Sequence, residues 1–142
     1  MRIMGLDYGS RRIGVALSDE LQITAQALRT VVRKNLKEDL DEIAAVAKEY
    51  KVKKIVIGYP VRLNGSEGPE CQRVSDFADR LESRLGIPVV KWDESFTSAE
   101  ALSILIEADV SRKKRKGIID KLAASLILQG YLNYLEEFGE TQ

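Results

Sequence analysis

The stretch that decides the fold is MRIMGLDYGSRRIGVALSD, residues 1–19. It holds two apolar runs, residues 2–8 and 12–18, and reads as two strands joined by a tight turn at Gly9-Ser10. Strand side chains alternate, so Ile3, Gly5 and Asp7 share one face while Met4, Leu6 and Tyr8 share the other. An aspartate is out of place here, because Asp is poor in strands and rarely buried without a partner. Gly5 leaves room beside it. The chain then turns toward Arg11 and Arg12.

Outward from this hairpin, residues 26–33 (QALRTVVR) read as a third strand, making a meander. Leu36, Leu40, Ile43, Ala44 and Ala47 recur at helical spacing over residues 36–50. Residues 54–58 (KIVIG) form a short buried strand, and residues 59–69 (YPVRLNGSEGP) a loop. A helix spans 70–85, with Val74, Phe77, Ala78 and Leu81 on one face and Gly86 as its stop. Residues 89–92 (VVKW) are the last strand. A capping box, Thr97 to Glu100, opens a helix to about residue 108. Residues 111–116 read as a basic connector and 118–137 as a long final helix. The order β-β-β-α-β-α-β-α-α predicts one α/β domain over residues 1–142. Its five-stranded mixed sheet has three antiparallel strands extended by two parallel ones, with helices on both faces.

The totals exclude several chemistries. The chain has no histidine and one cysteine, Cys71, in 142 residues. Ser-His-Asp and Cys-His nucleophile pairs, His-based metal motifs and disulfide frameworks are therefore absent. Lys plus Arg number 22 and Asp plus Glu number 22, so any binding to nucleic acid must come from a local patch. No apolar run approaches the roughly 18 residues of a membrane span, and the start of the chain lacks a signal-peptide pattern. A cytoplasmic protein with no membrane partner is the expectation.

Carboxylates are left to carry chemistry. Asp7, the loop after Gly58, and Asp93-Glu94 all stand at carboxyl ends of strands, where ligand sites form in parallel sheets. If the first, fourth and fifth strands are parallel neighbours, these ends meet at one edge. Asp120 joins from the first turn of the final helix, where the helix dipole favours an ionised carboxylate. Ala123 and Ala124, three and four positions on, let that face approach a strand closely. Convergent carboxylates without histidine point to a hard cation such as Mg²⁺. Two such ions about 3.5–4 Å apart stabilise the attacking and leaving oxygens of phosphodiester hydrolysis. Each acid also has a local role open to it: an Asx turn for Asp7, loop polarity for Asp93 and Glu94, helix-start charge for Asp120.

Two further segments bear on a nucleic-acid partner. Arg112, Lys113, Lys114, Arg115 and Lys116 form either a solvated connector or a phosphate-contact patch, which Arg11 and Arg12 would join. Arg62 and Asn64, in the loop after the fourth strand, are candidates for phosphate or sugar contacts. Tyr131 and Tyr134 read as core or rim residues rather than base-stacking platforms.

Four ordered segments, GLDYGSRRIGVALSD, IVIGYPVRLNGSEGP, WDESFTSAEA and IDKLAASLILQGYL, resemble those of the YqgF family, also called RuvX or pre-16S rRNA nuclease. The resemblance spans nearly the whole chain. It implies an RNase H-like fold and a nuclease dependent on Mg²⁺ or Mn²⁺, maturing the 5′ end of the 16S rRNA precursor in ribosome biogenesis. It implies Asp7, Glu94 and Asp120 as catalytic metal ligands, and Asp93, beside Glu94, is a fourth candidate. Some members were first described as Holliday-junction resolvases, so cleavage of branched DNA by a homodimer is the alternative, with a monomer equally open. A non-catalytic RNA-binding factor in ribosome assembly is a third reading. Many relatives carry Arg after the Asp-Glu pair, where this chain has Ser95, which removes a potential phosphate contact.

Overall fold

The computed structural model describes residues 1–61, 65–93 and 112–139, with 112–119 as backbone only. Its strands are β1 (Arg2–Tyr8), β2 (Arg12–Ser18), β3 (Ala25–Val32), β4 (Val52–Tyr59) and β5 (Val89–Asp93). The helices are α1 (Leu36–Glu49), α2 (Pro69–Leu85) and α3 (Arg112–Phe138). The sheet order is β3-β2-β1-β4-β5, antiparallel across β3-β2-β1 and parallel across β1-β4-β5. The carboxyl ends of β1, β4 and β5 therefore lie side by side along one edge.

Alternation in the strands builds two unlike cores. Met4, Leu6, Ile13, Val15, Ile55 and Ile57 face α1 and α2, whose Ile43, Val46, Val74, Phe77 and Leu81 complete a layer of large aliphatic and aromatic groups. Ile3, Ala16 and Val56 face α3, which offers Ala124, Ile127, Leu128 and Leu132. The second face is paved with small residues because the helix lies almost on the sheet. A Cβ on Gly5 would stand 2.7 Å from the Leu128 Cβ and 2.9 Å from the Ala124 carbonyl oxygen. One on Gly14 would overlap the carbonyl of Asp120.

Two expectations change. The fourth strand runs from Val52 rather than residue 54, because pairing with Arg2 of β1 continues the ladder past the apolar run. The basic segment is not a connector: α3 is helical from Arg112, as lysine and arginine have good helix propensity and tolerate a solvated turn. Gly86 ends α2 in the left-handed region at φ 71°, as its position predicts. The capping-box helix from Thr97 lies outside the described residues. Among the described residues, no helix is long and apolar enough to cross a membrane.

Candidate active site

Asp7 is the penultimate residue of β1 and pairs across the sheet with Gly14 of β2. Paired residues project from the same face, so Asp7 stands beside the position where Gly14 has no side chain. That vacancy is filled by the backbone of α3 at Asp120. One glycine therefore does two things: it lets the helix reach van der Waals contact with the sheet, and it brings the Asp120 main chain next to Asp7. Gly5, two residues before Asp7, admits the following turn of the same helix at Ala124 and Leu128. Ala123 and Ala124 are fully buried there, the close approach their size predicts.

Asp120 itself is held differently from the expectation. It lies in the third turn of α3, so the helix-dipole argument fails, since that effect fades within the first turn. Its charge partner is Arg12, whose Nε donates to Oδ2 at 2.6 Å with both side chains part-buried. Arg12 is a candidate for a phosphate contact, and its Nε is engaged with the carboxylate. Arg11, one residue earlier, is exposed at the tip of the hairpin. The hairpin closes where Gly9 N–H donates to the Arg12 carbonyl at 2.9 Å.

Along the edge, Leu6 pairs with Ile57 of β4, and Gly58 pairs with Trp92 of β5. Asp7, Gly58 and Trp92 thus stand level on three adjacent parallel strands, all on the α3 face. With strands about 4.8 Å apart, Trp92 is roughly 10 Å from Asp7, with only a glycine between. Trp92 packs edge-on against Tyr131 and Tyr134, with ring centroids at 5.5 and 5.3 Å. Those two tyrosines are therefore rim and core residues of α3.

Asp93 follows Trp92 and turns to the opposite face, as does Lys91, which reaches Ser75 of α2 at 3.2 Å. Strand parity turns Asp93, the last residue of β5, away from the face that carries Asp7 and Asp120. Beside it, the Tyr59 hydroxyl donates to Glu67 at 2.6 Å, and this bond raises the phenol above its ordinary pKa and keeps it protonated. Glu94, Ser95, Arg62 and Asn64 lie outside the described residues. So do the side chains of Arg112, Lys113, Lys114, Arg115 and Lys116, whose backbone forms the opening turns of α3, ending one turn before Asp120. Among the described residues, no three metal-ligating side chains form a cluster.

One group was missed by sequence reading. Arg33, just after β3, donates through Nε to Asp39 at 3.2 Å and through Nη1 to the Tyr8 hydroxyl at 2.7 Å and the Gly9 carbonyl at 3.2 Å. Its guanidinium also lies over the Tyr8 ring, 4.5 Å from the centroid. Asp39 is buried, a fact that appears only once β1, β3 and α1 are brought together.

A family profile described as "RuvX: Holliday junction resolvase" matches residues 1–134. A protein of Syntrophus aciditrophicus (strain SB) designated a pre-16S rRNA nuclease is 57% identical over 137 residues, covering 96% of this chain and 91% of its own. A protein of Halothermothrix orenii with the same designation is 56% identical over 134 residues, covering 94% and 96%. Among solved structures, T. thermophilus RuvC in complex with Holliday junction substrate superposes with a TM-score of 0.55 at 16% identity, covering 98% of this chain and 97% of that one. The Fowlpox virus resolvase in complex with Holliday junction DNA gives 0.58 at 14% identity, covering 95% and 99%. These likenesses establish the RNase H-like fold. The match over nearly the full length, with relatives above half identity, places this chain in the RuvX family.

Proposed function

We propose that this protein is a metal-dependent nuclease that hydrolyses phosphodiester bonds in 5′-end maturation of the 16S rRNA precursor, in the cytoplasm. The observation that carries the reading is the approach of α3 over Gly14, which sets Asp120 beside Asp7 at the carboxyl edge of the sheet. The designation of its relatives supports the substrate.

The residues suit a hard divalent cation by donor chemistry. Asp7 and Asp120 offer carboxylate oxygens, the chain has no histidine, and Cys71 is buried at the start of α2 on the far side of the sheet. Asp7, Asp120 and Glu94 would hold Mg²⁺ or Mn²⁺. When bound, two such cations supply an activated water and charge stabilisation at the leaving oxygen. The chain's own groups do the rest. Arg12 fixes the Asp120 carboxylate in one orientation and balances its charge. Exposed Arg11 stands at the rim, where it meets a phosphate of the incoming strand. The sheet edge and α3 make a rigid frame, which positions the scissile phosphate. Cleavage leaves a 5′-phosphate and a 3′-hydroxyl.

The test uses end-labelled rRNA precursor and a four-way DNA junction, each with and without Mg²⁺ or Mn²⁺. Metal-dependent cleavage of the RNA is expected, falling to background in Asp7→Asn with an unchanged thermal melt. Cleavage of the junction alone would reassign the substrate to branched DNA. RNA binding without cleavage in any buffer would leave an assembly factor in place of an enzyme.

A further inference from the structure

Behind the candidate active site, on the α1 and α2 face, lies a groove of about 610 Å³ lined by Tyr8, Arg33, Arg73, Asp76, Phe77 and Arg80, among others. Its volume falls within the roughly 300–1,000 Å³ of small-ligand sites. It shares its edge with Asp7: Asp7 and Tyr8 are consecutive, and alternation sends one side chain to each face. The rim between the two faces is the hairpin tip, Gly9, Ser10 and Arg11, low at the glycine and carrying an exposed arginine.

Building on the nuclease reading, we propose that this groove is a subsite for one unpaired nucleotide of the RNA strand as it passes over the hairpin tip from the cleavage site. Arg33 is the fixed element. Asp39, the Tyr8 hydroxyl and the Gly9 carbonyl hold its Nε and Nη1, and its ring contacts with Tyr8 and Phe77 fix the guanidinium plane. None of these hydrogen bonds uses Nη2, so that donor is pre-oriented at little further entropic cost. Arg73 and Arg80 are two helical turns apart on α2, on either side of Phe77, and both are exposed. Among the described residues neither enters an ion pair, so their charge is available for a phosphodiester.

The acids in the same wall decide between a bare anion and a nucleotide. Asp76 and Asp79 would repel an isolated phosphate, whereas a base edge carries amino and imino N–H donors that carboxylates accept. Arginines for phosphate, carboxylates for a base edge and an aromatic floor suit a nucleotide that has left its helix.

The test is the double variant Arg73→Ala/Arg80→Ala of the full chain. Both side chains are exposed, so the thermal melt is expected to be unchanged. Binding of a fluorescent single-stranded RNA 12-mer in EDTA is expected to weaken at least tenfold. Its log–log salt slope should become shallower by about 1.4, from two lost phosphate contacts at roughly 0.7 each on a single strand. The comparison variant Lys48→Ala/Lys51→Gly, at the C-terminal end of α1 on the opposite edge, should leave the slope alone. Equal slopes for the wild type and the Arg73/Arg80 variant, or an equal loss in the comparison variant, would overturn the subsite while precursor cleavage by the wild type kept the nuclease reading intact. If the wild type neither bound nor cut RNA, the nuclease reading would fail first and take the subsite with it.

Discussion

The two faces of the sheet are built for different ends. The face under α1 and α2 is packed with Met4, Leu6, Ile13, Val15, Ile55 and Ile57, large groups that keep the helices at ordinary distance and bury more apolar surface per residue than glycine or alanine. The face under α3 spends its strand positions on Gly5, Gly14 and Ala16 and takes the helix into backbone contact. The first arrangement favours stability. The second gives up side-chain burial for position, because a helix resting on main chain has little freedom to slide. The candidate carboxylates sit on the second face.

Ile13 and Gly14 are neighbours that project to opposite faces, and substituting each in turn is the sharpest way to break this comparison. Gly14→Ala places a methyl group on the Asp120 carbonyl. Overpacking of this kind costs about 1–3 kcal/mol, and displacing Asp120 by an ångström costs about 10²-fold in rate. Precursor cleavage is therefore expected to fall about a hundredfold in protein that still melts cooperatively. Ile13→Val should cost about 0.5–1.5 kcal/mol, read as a lowered melting temperature, with cleavage unchanged well below it. Equal loss of cleavage in both variants would mean that the α3 face is no more position-critical than the other.

The next effect concerns the charge inside the α3 face. The Arg12 guanidinium, 2.6 Å from Oδ2, competes with any cation for the Asp120 carboxylate. Arg12→Gln should tighten Mn²⁺ binding, followed by paramagnetic relaxation without substrate, by roughly tenfold, since it removes a like charge a few ångströms away in a part-solvated site. The same variant should lose about 1–3 kcal/mol of stability for a charge-assisted hydrogen bond left unmade. Unchanged Mn²⁺ affinity would place the cation away from Asp120.

Much of this arrangement was legible in the chain. Period-two alternation in residues 2–8 put Asp7 and Gly5 on one face and Met4 and Leu6 on the other, and the element order set the mixed sheet. Parity was equally available in β5, where Trp92 lies on the α3 face and Asp93 on the other. The start of α3 was hidden because a run of lysine and arginine has the charge pattern of a linker and the propensity of a helix, and only the tertiary setting chooses. Gly14 looked like any glycine in a strand, since its role exists only once a helix from a hundred residues later lies on it. The Arg33 cluster was beyond reach for the same reason: it joins the end of β3, the end of β1 and the first turn of α1.

The smallest effect lies at the edge of the sheet opposite the candidate site, in the turn from β2 to β3. Asp19 Oδ1 accepts from the Ile23 and Thr24 N–H groups at 2.7 and 3.0 Å, and these bonds, Thr24 first, lower its pKa below the usual 3.8. A carboxyl depressed in the folded state stabilises it above the unfolded pKa, and that contribution is lost as pH falls through the folded value. Asp19→Asn should therefore lower the melting temperature slightly at pH 7, and the gap from the wild type should close as the pH drops below 3.8. This turn meets α3 through Gln129, which donates to the Ile23 carbonyl at 3.0 Å, more than two helical turns along from Asp120, so cleavage per folded molecule should not change. A loss of cleavage in Asp19→Asn would show that the far edge of the sheet is coupled to the α3 face, and the division of labour between the two faces would then have to include the turns that join their strands.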